Sequence, residues 1–220
     1  EQHYWPRFAG DQLPDGDVSI AVALADRLDA MAGLFSIGQA PTGDKDPFGL
    51  RRAALGVIRI LAERRLDLDF HDLVRLATEP FQGKAATEIE DFVYDRLRGY
   101  LREMGFTAHQ VEAVVSQRPA RLDQVRGRLD AVAAFAKLPE SEALAAANKR
   151  VKNILDKSGR SEAVDPSLFA QEEERRLHAA IAAMAPGVEE KVASAQFEPA
   201  LVALAGVRAD VDAFFDKVLV

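Results

Sequence analysis

The chain has 220 residues, of which 48% are hydrophobic and 29% are charged, and its formal net charge at pH 7 is −7. This composition is typical of a folded globular protein and excludes an intrinsically disordered chain. The chain has no cysteine, which excludes disulfide frameworks, thiolate metal sites and cysteine nucleophiles. No apolar run approaches the ~18 residues of a membrane helix, so we expect no membrane partner.

Apolar residues recur at helical spacing along almost the whole chain, and no segment alternates as a strand does. We therefore predict an all-α helical bundle, divided near residues 80–85, where composition and charge shift. The predicted helices cover about 18–34, 47–65, a short segment after Asp69, 86–104, a segment from Thr107, 122–135, a segment from Pro139 to Leu155, 166–185 and 188–218, with a break at Gly206.

Single residues predict where several of these helices begin and where loops lie. Asp46 is a predicted N-cap, with Pro47 at the first helical position, where a missing N–H costs nothing. Asp69 is the predicted cap of the short helix. The glycine- and proline-rich segment 37–43 and the polar segment 157–165 are predicted loops.

The negative charge is unevenly distributed along the chain. Residues 1–83 have a net charge of −4 and residues 161–220 a net charge of −6, whereas residues 84–160 have a net charge of +3. Because a polyanion responds to the field at one face, an acidic chain can still bind nucleic acid. Only the middle segment offers such an attraction.

Histidine and serine residues form no recognisable catalytic or metal-binding motif. The histidines His3, His71, His109 and His178 lack metal-ligand spacing, and no serine lies in a GxSxG motif. The adjacent pair His71 and Asp72 is typical of HD-type metal hydrolases, but a carboxylate there also stabilises the start of a short helix. The second interpretation is favoured, and we predict no catalytic residue and no metal site.

Basic residues cluster near the end of the helix that starts at Pro139. They are Lys149, Arg150, Lys152 and Lys157, and they lie beside Asn148 and Asn153. By helical spacing, positions 149, 152 and 153 share a face, as do 150 and 157. Two interpretations stay open: a solvated helix end favoured by the helix dipole, or a surface for phosphates and base edges.

Six segments carry a resemblance to a known family. The first three are EQHYWPRFAGDQLP (1–14), ADRLDAMAGLFSIG (25–38) and PTGDKDPFGLRRAALGVIRI (41–60), which resemble the bacterial glycyl-tRNA synthetase β subunit. The other three resemble its C-terminal anticodon-binding domain, a helical bundle of the DALR type: FVYDRLRGYLREMGF (92–106), NKRVKNIL (148–155) and FFDKVLV (214–220).

The resemblance implies a cytoplasmic enzyme of two α and two β subunits. The α subunit makes glycyl-adenylate from glycine and ATP with Mg²⁺, and the β subunit binds tRNA(Gly) rather than DNA. Residues 1–84 are then the end of an HD-like helical domain, in which Asp26 matches the last aspartate of HD-type metal sites. Residues 85–220 are a DALR-type domain truncated at its C-terminus. Because the chain begins at Glu1 and ends on an apolar tail, we expect it to be a fragment of a longer protein, cut at both ends. The resemblance implies that this fragment is non-catalytic on its own and binds no cofactor.

The predicted tRNA contacts follow from the basic residues and the resemblance together. They are Lys149, Arg150, Lys152 and Asn153 on the anticodon side, Arg96 and Arg98 as outlying phosphate contacts, and Lys45, Arg51 and Arg52 for tRNA or an interdomain contact. Arg51 and Arg52 are adjacent and are expected to point apart on their helix. Tyr94, Tyr100 and Phe106 are the aromatic residues nearest to a base-stacking role.

Two functions of other classes stay as alternatives. One is a helical scaffold whose basic face docks a protein without binding RNA. The other is an HD-type hydrolase, which needs an added metal and a nucleotide substrate. Salt dependence separates the scaffold from RNA binding, because neutralised phosphates make log K fall steeply with log salt.

Overall fold

The structure is a computed structural model that describes residues 1–159 and 164–218. Within these ranges the chain forms ten α-helices and no strand, which confirms the predicted all-α class, and none of these helices has the length and apolarity of a membrane span. The helices are α1 (Asp17–Ser36), α2 (Leu50–Glu63), α3 (Phe70–Thr78), α4 (Ala86–Glu103), α5 (Ala108–Val115), α6 (Val125–Phe135), α7 (Ser141–Ser158), α8 (Glu172–Ala193), α9 (Phe197–Ala205) and α10 (Arg208–Lys217).

The start of α2 lies one turn later than predicted. The two carboxylate oxygens of Asp46 accept hydrogen bonds from the Leu50 N–H at 2.8 Å and from the Arg51 N–H at 3.0 Å. Asp46 therefore satisfies the first N–H groups of the helix, as predicted. It does so from four residues before the first helical residue rather than from the position directly before it. The helix begins at Leu50 rather than at Pro47 because Gly49 has a left-handed conformation, with φ of 68°.

The C-terminal helices differ from the prediction in their bounds, because the predicted helix 166–185 begins only at Glu172 and the predicted helix 188–218 is also interrupted at residues 194–196. The predicted helix end before Pro186 is wrong, because α8 continues through Pro186 to Ala193. A proline inside a helix removes one backbone hydrogen bond, and we attribute its tolerance to the packing of α8 on α9 and α10. The predicted break at Gly206 is confirmed.

The predicted loop 157–165 begins slightly later than expected, because α7 extends to Ser158. Residues 160–163 of this loop lie outside the described residues.

Residues Glu1–Leu129 form one compact unit around an apolar core. Its helices α1, α2 and α4 pack on one another, and α3 and α5 pack against them. The apolar stripe of α4 faces this core, with Ile89, Val93, Leu97 and Leu101 at most 2% exposed and Phe92 and Tyr100 half-buried. This unit extends beyond residue 84; the assignment of 1–84 and 85–220 to two family domains stays a prediction.

Residues Asp130–Val220 form the second compact unit. Here α8 packs on α9 and α10, and α10 also contacts α7. Among its described hydrophobic side chains, only Ala131, Phe197 and Ala200 are fully buried. The core of this unit is therefore small, and most side chains of α7 lie at the surface.

A buried arginine fixes the N-terminal segment to the first unit. Arg27 of α1 is only 8% exposed, and its guanidinium donates to the carbonyls of His3 at 3.2 Å, Tyr4 at 3.1 Å and Pro6 at 3.2 Å. Gly56 of α2 leaves room for it, because a Cβ there would lie 2.4 Å from the Arg27 Nε. Burial lowers the pKa of Arg27, but the carbonyl oxygens compensate the lost hydration of its charge.

Replacing Arg27 by Met is expected to lower the free energy of unfolding of the first unit by about 2–4 kcal/mol, because buried carbonyls lose their charged donor. Urea denaturation measures this free energy of unfolding. It can be followed by the fluorescence of Trp5, the single tryptophan, which lies in the N-terminal segment that Arg27 holds. Arg102→Met, at an exposed position of α4, is the control and should change it by less than about 0.5 kcal/mol. Equal stabilities of the two variants would contradict this role of Arg27.

Candidate nucleic-acid interface

Four polar residues of α7 line one face of the helix in the second unit. They are Lys149, Arg150, Asn153 and Lys157, and we call them the α7 face. With Ala146 and Ile154 they line a surface groove of about 400 Å³. At 100° per residue, positions spaced by one, four and eight fall within about 100° of each other around a helix. A single helix thus presents three cations and an amide side by side.

The cations of the α7 face keep their charge available for a ligand. None of Lys149, Arg150 and Lys157 forms an ion pair with any residue the structure describes. The Arg150 guanidinium instead lies over the ring of Phe215 of α10, 4.1 Å from its centroid. A cation–π contact orients a guanidinium without neutralising it. Lys157 lies in the last turn of α7, where the helix dipole also favours a cation.

The residues of the α7 face are not the same as those that helical spacing predicted to share a face. Lys152, grouped with Lys149 and Asn153, does not line the groove, because it lies about 60° beyond Lys149 on the side away from Arg150. Lys157 joins the face and was missing from the predicted contacts. The repeat of polar residues at 149, 153 and 157 was the sequence signal for it.

Three other predicted contacts come together in the first unit. Arg51 and Arg52 of α2 and Arg96 of α4 line a groove of about 280 Å³, which we call the arginine groove. Its remaining lining residues are Phe8, Ala9, Leu55, Gly99, Tyr100 and Glu103. Arg51 and Arg52 both line this groove, and the Arg51 guanidinium also donates to the Gly43 carbonyl. That the two side chains point apart on their helix stays a prediction. Phe8 was not among the predicted residues, and no local pattern marks it.

Arg98 and Lys45 lie outside both surfaces. The Arg98 guanidinium donates to both carboxylate oxygens of Glu112, at 2.9 and 3.2 Å, and these hydrogen bonds raise the pKa of Arg98. A phosphate would have to compete with this bidentate pair. Lys45 is exposed in a turn in which its backbone pairs with that of Thr42.

The three aromatic candidates differ in the access they give to a base. Tyr94 is 1% exposed and donates its hydroxyl to the Pro119 carbonyl at 3.0 Å, so its ring has no free face. Phe106 lies beneath Arg126, 5.2 Å from the guanidinium carbon. Tyr100 alone lines one of the two grooves.

His71 and Asp72 have separate partners and do not converge. His71 Nδ1 lies 2.9 Å from a carboxylate oxygen of Glu90 on α4, whereas Asp72 pairs with Arg75 at 2.9 Å. The Asp72 N–H donates to Asp69, which caps α3 as predicted. Within the described ranges, no three side chains of His, Asp or Glu are grouped as metal ligands.

A family model described as the glycyl-tRNA synthetase beta subunit matches residues 1–116. The chain belongs to this family. Glycine–tRNA ligase beta subunits from Ralstonia nicotianae, Dechloromonas aromatica and Thiobacillus denitrificans are 51%, 53% and 50% identical to it. Each alignment covers the whole chain and 32% of the relative, so the chain spans about a third of the length of these curated relatives.

The resemblance to the glycyl-tRNA synthetase β subunit is thereby confirmed, whereas the DALR type of the C-terminal part stays a prediction. The family model covers the arginine groove and ends before α7. The α7 face lies within the alignments to the curated relatives, which include the whole chain.

The pair of His71 and Glu90 makes the stability of the first unit pH-dependent. Burial lowers the pKa of His71, but hydrogen bonds to the Glu90 carboxylate and the Arg118 carbonyl outweigh burial and raise it above 6.5. A raised folded-state pKa adds stability that is complete below the unfolded value and is lost as the pH rises through the folded value. Burial raises the pKa of Glu90, but hydrogen bonds from His71 and Arg118 outweigh it and lower this pKa, so Glu90 stays ionised in that window.

We expect the free energy of unfolding to fall by about 0.5 kcal/mol between about pH 5.5 and pH 8.5 because of this pair, the size of a partly exposed ion pair. Urea denaturation followed by Trp5 fluorescence measures it. His71→Gln should remove this part of the pH dependence, and His109→Gln, at an exposed site of α5, should retain it. A pH dependence unchanged in His71→Gln would refute the assignment.

Proposed function

We propose that this chain is the tRNA-recognition part of a glycine–tRNA ligase β subunit and binds tRNA(Gly) through the α7 face. The observation that carries this proposal is a set of three cations that share one face and form no ion pair with a described residue, in a chain whose net charge is −7. In an acidic chain, such a cluster attracts a polyanion only locally. The family relationship supports tRNA(Gly) as this polyanion.

The residue types of the α7 face suit a single-stranded RNA loop. Lys149 and Lys157 supply compact charges for phosphates, and Arg150 supplies a planar fork of donors. Asn153 has both a donor and an acceptor on one amide, which is the combination that reads the edge of an unpaired base. An anticodon loop offers phosphates and unpaired bases together.

The remaining steps of the reaction are assigned to another polypeptide. We propose that glycine activation, with ATP and Mg²⁺, takes place on the α subunit of a cytoplasmic enzyme of two α and two β subunits. The present chain then contributes binding and positioning of tRNA(Gly), and is non-catalytic alone. Among the other predicted contacts, Arg96, Arg51 and Arg52 are candidates for the same RNA, and Lys152, Lys45 and Arg98 are more peripheral ones.

A protein-docking role has support from a different surface. Leu24 and Leu28 of α1 face Leu73 and Leu76 of α3 across an apolar groove of about 440 Å³, and Leu76 is 53% exposed. An exposed apolar groove suits a protein partner better than RNA. This docking function differs from the predicted scaffold, whose basic face would bind a protein instead of RNA, because it involves an apolar groove of the first unit and is compatible with RNA binding by α7.

Reversing two charges of the α7 face should weaken binding of tRNA(Gly) at least tenfold. Lys149→Glu/Arg150→Glu is the first variant. Lys149→Glu/Lys157→Glu is the second and leaves the contact of Arg150 with Phe215 intact. Each phosphate contact to single-stranded RNA contributes about −0.7 to the slope of log K against log salt. Because two contacts are lost, this negative slope should become shallower by about 1.4 or more. Filter binding over a range of salt concentrations measures both quantities.

The control for these variants is Lys84→Glu/Lys137→Glu, which changes the net charge equally at two exposed lysines outside both surfaces. Its affinity should stay within about threefold of the unmodified chain, since distant exposed charges are screened. Affinities that fall equally in all three variants would indicate a net-charge effect. Unchanged tRNA affinity in both α7 variants, or no binding by the unmodified chain, would refute the proposal.

A further inference from the structure

The arginine groove brings three cations and two aromatic rings to one concave surface of the first unit. Arg51 and Arg52 come from the first turn of α2, Arg96 and Tyr100 from successive turns of α4, and Phe8 from the N-terminal segment. The volume of about 280 Å³ is slightly below the roughly 300–1,000 Å³ of pockets for drug-sized ligands. The groove therefore suits a small planar group with one charged substituent rather than a large cofactor.

The guanidinium groups of this groove have unused donors. Arg52 is exposed and forms no ion pair with any described residue. Arg51 donates to a backbone carbonyl, which leaves its charge unpaired. Arg96 pairs with its neighbour Asp95 at 2.7 Å, but its Nε is buried without a hydrogen-bond partner in the described structure. Glu103 is the acidic residue of the lining, so cations outnumber carboxylates and the groove favours an anion.

The aromatic wall is exposed, and the backbone that carries it is held by hydrogen bonds. The Phe8 side chain is 57% exposed, and its backbone is held in a turn, because its carbonyl accepts from the Asp11 N–H at 3.2 Å and Asp11 accepts from the Arg7 N–H at 2.9 Å. Opposite, Gly99 leaves an opening beside Tyr100, since a Cβ at Gly99 would have no atom within 4 Å. A flat group can thus enter the groove against the exposed Phe8 ring.

We propose that the arginine groove binds an unpaired nucleotide of RNA, with the base against Phe8 and the phosphate between Arg51, Arg52 and Arg96. Guanidinium forks match the geometry of phosphate oxygens, and an aromatic face stacks on any base. An acidic peptide would satisfy the arginines but would leave the ring without a flat partner. The inference adds a second RNA-binding surface to the proposed function and rests on it for the identity of the RNA as tRNA(Gly).

A substitution at Gly99 blocks the groove without removing a charge or a hydrogen bond. Gly99→Leu fills the opening beside Tyr100, whereas Gly99→Ala leaves most of it free. Both replace a glycine inside α4, so both should retain or raise thermal stability. Binding of a short single-stranded uridine oligonucleotide, measured by fluorescence anisotropy, should weaken about tenfold in Gly99→Leu, the size of one lost base stack, and stay unchanged in Gly99→Ala.

Two further variants separate stacking from phosphate binding. Phe8→Ala should weaken oligonucleotide binding about tenfold and leave its salt dependence unchanged. Arg52→Gln should instead reduce the slope of log K against log salt by about 0.7. Arg65→Gln, at an exposed position outside the groove, is the matched control and should change neither quantity.

Photo-crosslinking places the base directly. An oligonucleotide containing 5-iodouridine, irradiated in complex with the unmodified chain, should give a crosslinked peptide that contains Phe8 or Tyr100, and Gly99→Leu should remove it. Oligonucleotide affinity unchanged in Gly99→Leu and Phe8→Ala, or crosslinks only on other peptides, would overturn the inference. Displacement of the oligonucleotide by polyglutamate with equal potency in the unmodified chain and in Phe8→Ala would also overturn it and would indicate a protein ligand.

The two RNA-binding surfaces can fail separately. Loss of tRNA(Gly) affinity in Lys149→Glu/Arg150→Glu, without a crosslink to a peptide that contains Phe8 or Tyr100, would support the proposed function and refute the inference about the arginine groove. A crosslink to a peptide that contains Phe8 or Tyr100, together with unchanged tRNA(Gly) affinity in both α7 variants, would support the inference about the arginine groove and refute the proposed role of the α7 face.

Discussion

The buried guanidinium of Arg27 is the contact on which the surface of the first unit depends. By donating to carbonyls between His3 and Pro6 it holds the N-terminal segment on α1, and the missing side chain of Gly56 lets α2 approach at the same point. Since the segment is anchored at Pro6, the ring of Phe8, two residues later, is held beside α2 and α4. A charge buried for structural reasons therefore determines where an aromatic side chain meets a cluster of cations.

The acidic residues of the second unit explain how an acidic protein retains a cationic face. Glu173 pairs with Lys217 at 2.8 Å, and Asp210 pairs with Arg176 at 2.8 Å, so these carboxylates join α8 to α10. Three consecutive glutamates lie in the first turn of α8, where the helix dipole favours negative charge. Much of the negative charge thus serves helix ends and interhelical pairs, and within residues 1–159 and 164–218 no carboxylate forms an ion pair with Lys149, Arg150 or Lys157.

Local patterns in the sequence predicted most of the helices, because helix caps and apolar spacing involve residues that are close to one another along the chain. The cap at Asp69 and the stripe from Ile89 to Leu101 depend on spacing alone. The start of α2 was misplaced because a carboxylate can cap from four residues away when a glycine allows the intervening turn. The continuation of α8 through Pro186 was missed because packing by other helices, which no local pattern contains, offsets the local cost of proline.

The same distinction separates the two candidate surfaces. The α7 face lies within nine consecutive residues, so its cations were visible in the sequence. Lys152 was grouped with residues of this face although it lies beside the groove, and Lys157, which was correctly placed on the side of Arg150, was left out of the predicted contacts. The arginine groove combines an N-terminal segment with the start of α2 and the C-terminal half of α4. Its arginines were recognised as basic residues, but no sequence pattern indicated that they meet. A surface assembled from distant segments keeps its geometry only while the core between them is intact. Its ligand affinity is consequently coupled to the stability of the first unit, whereas the α7 face depends mainly on one helix and its contact with Phe215.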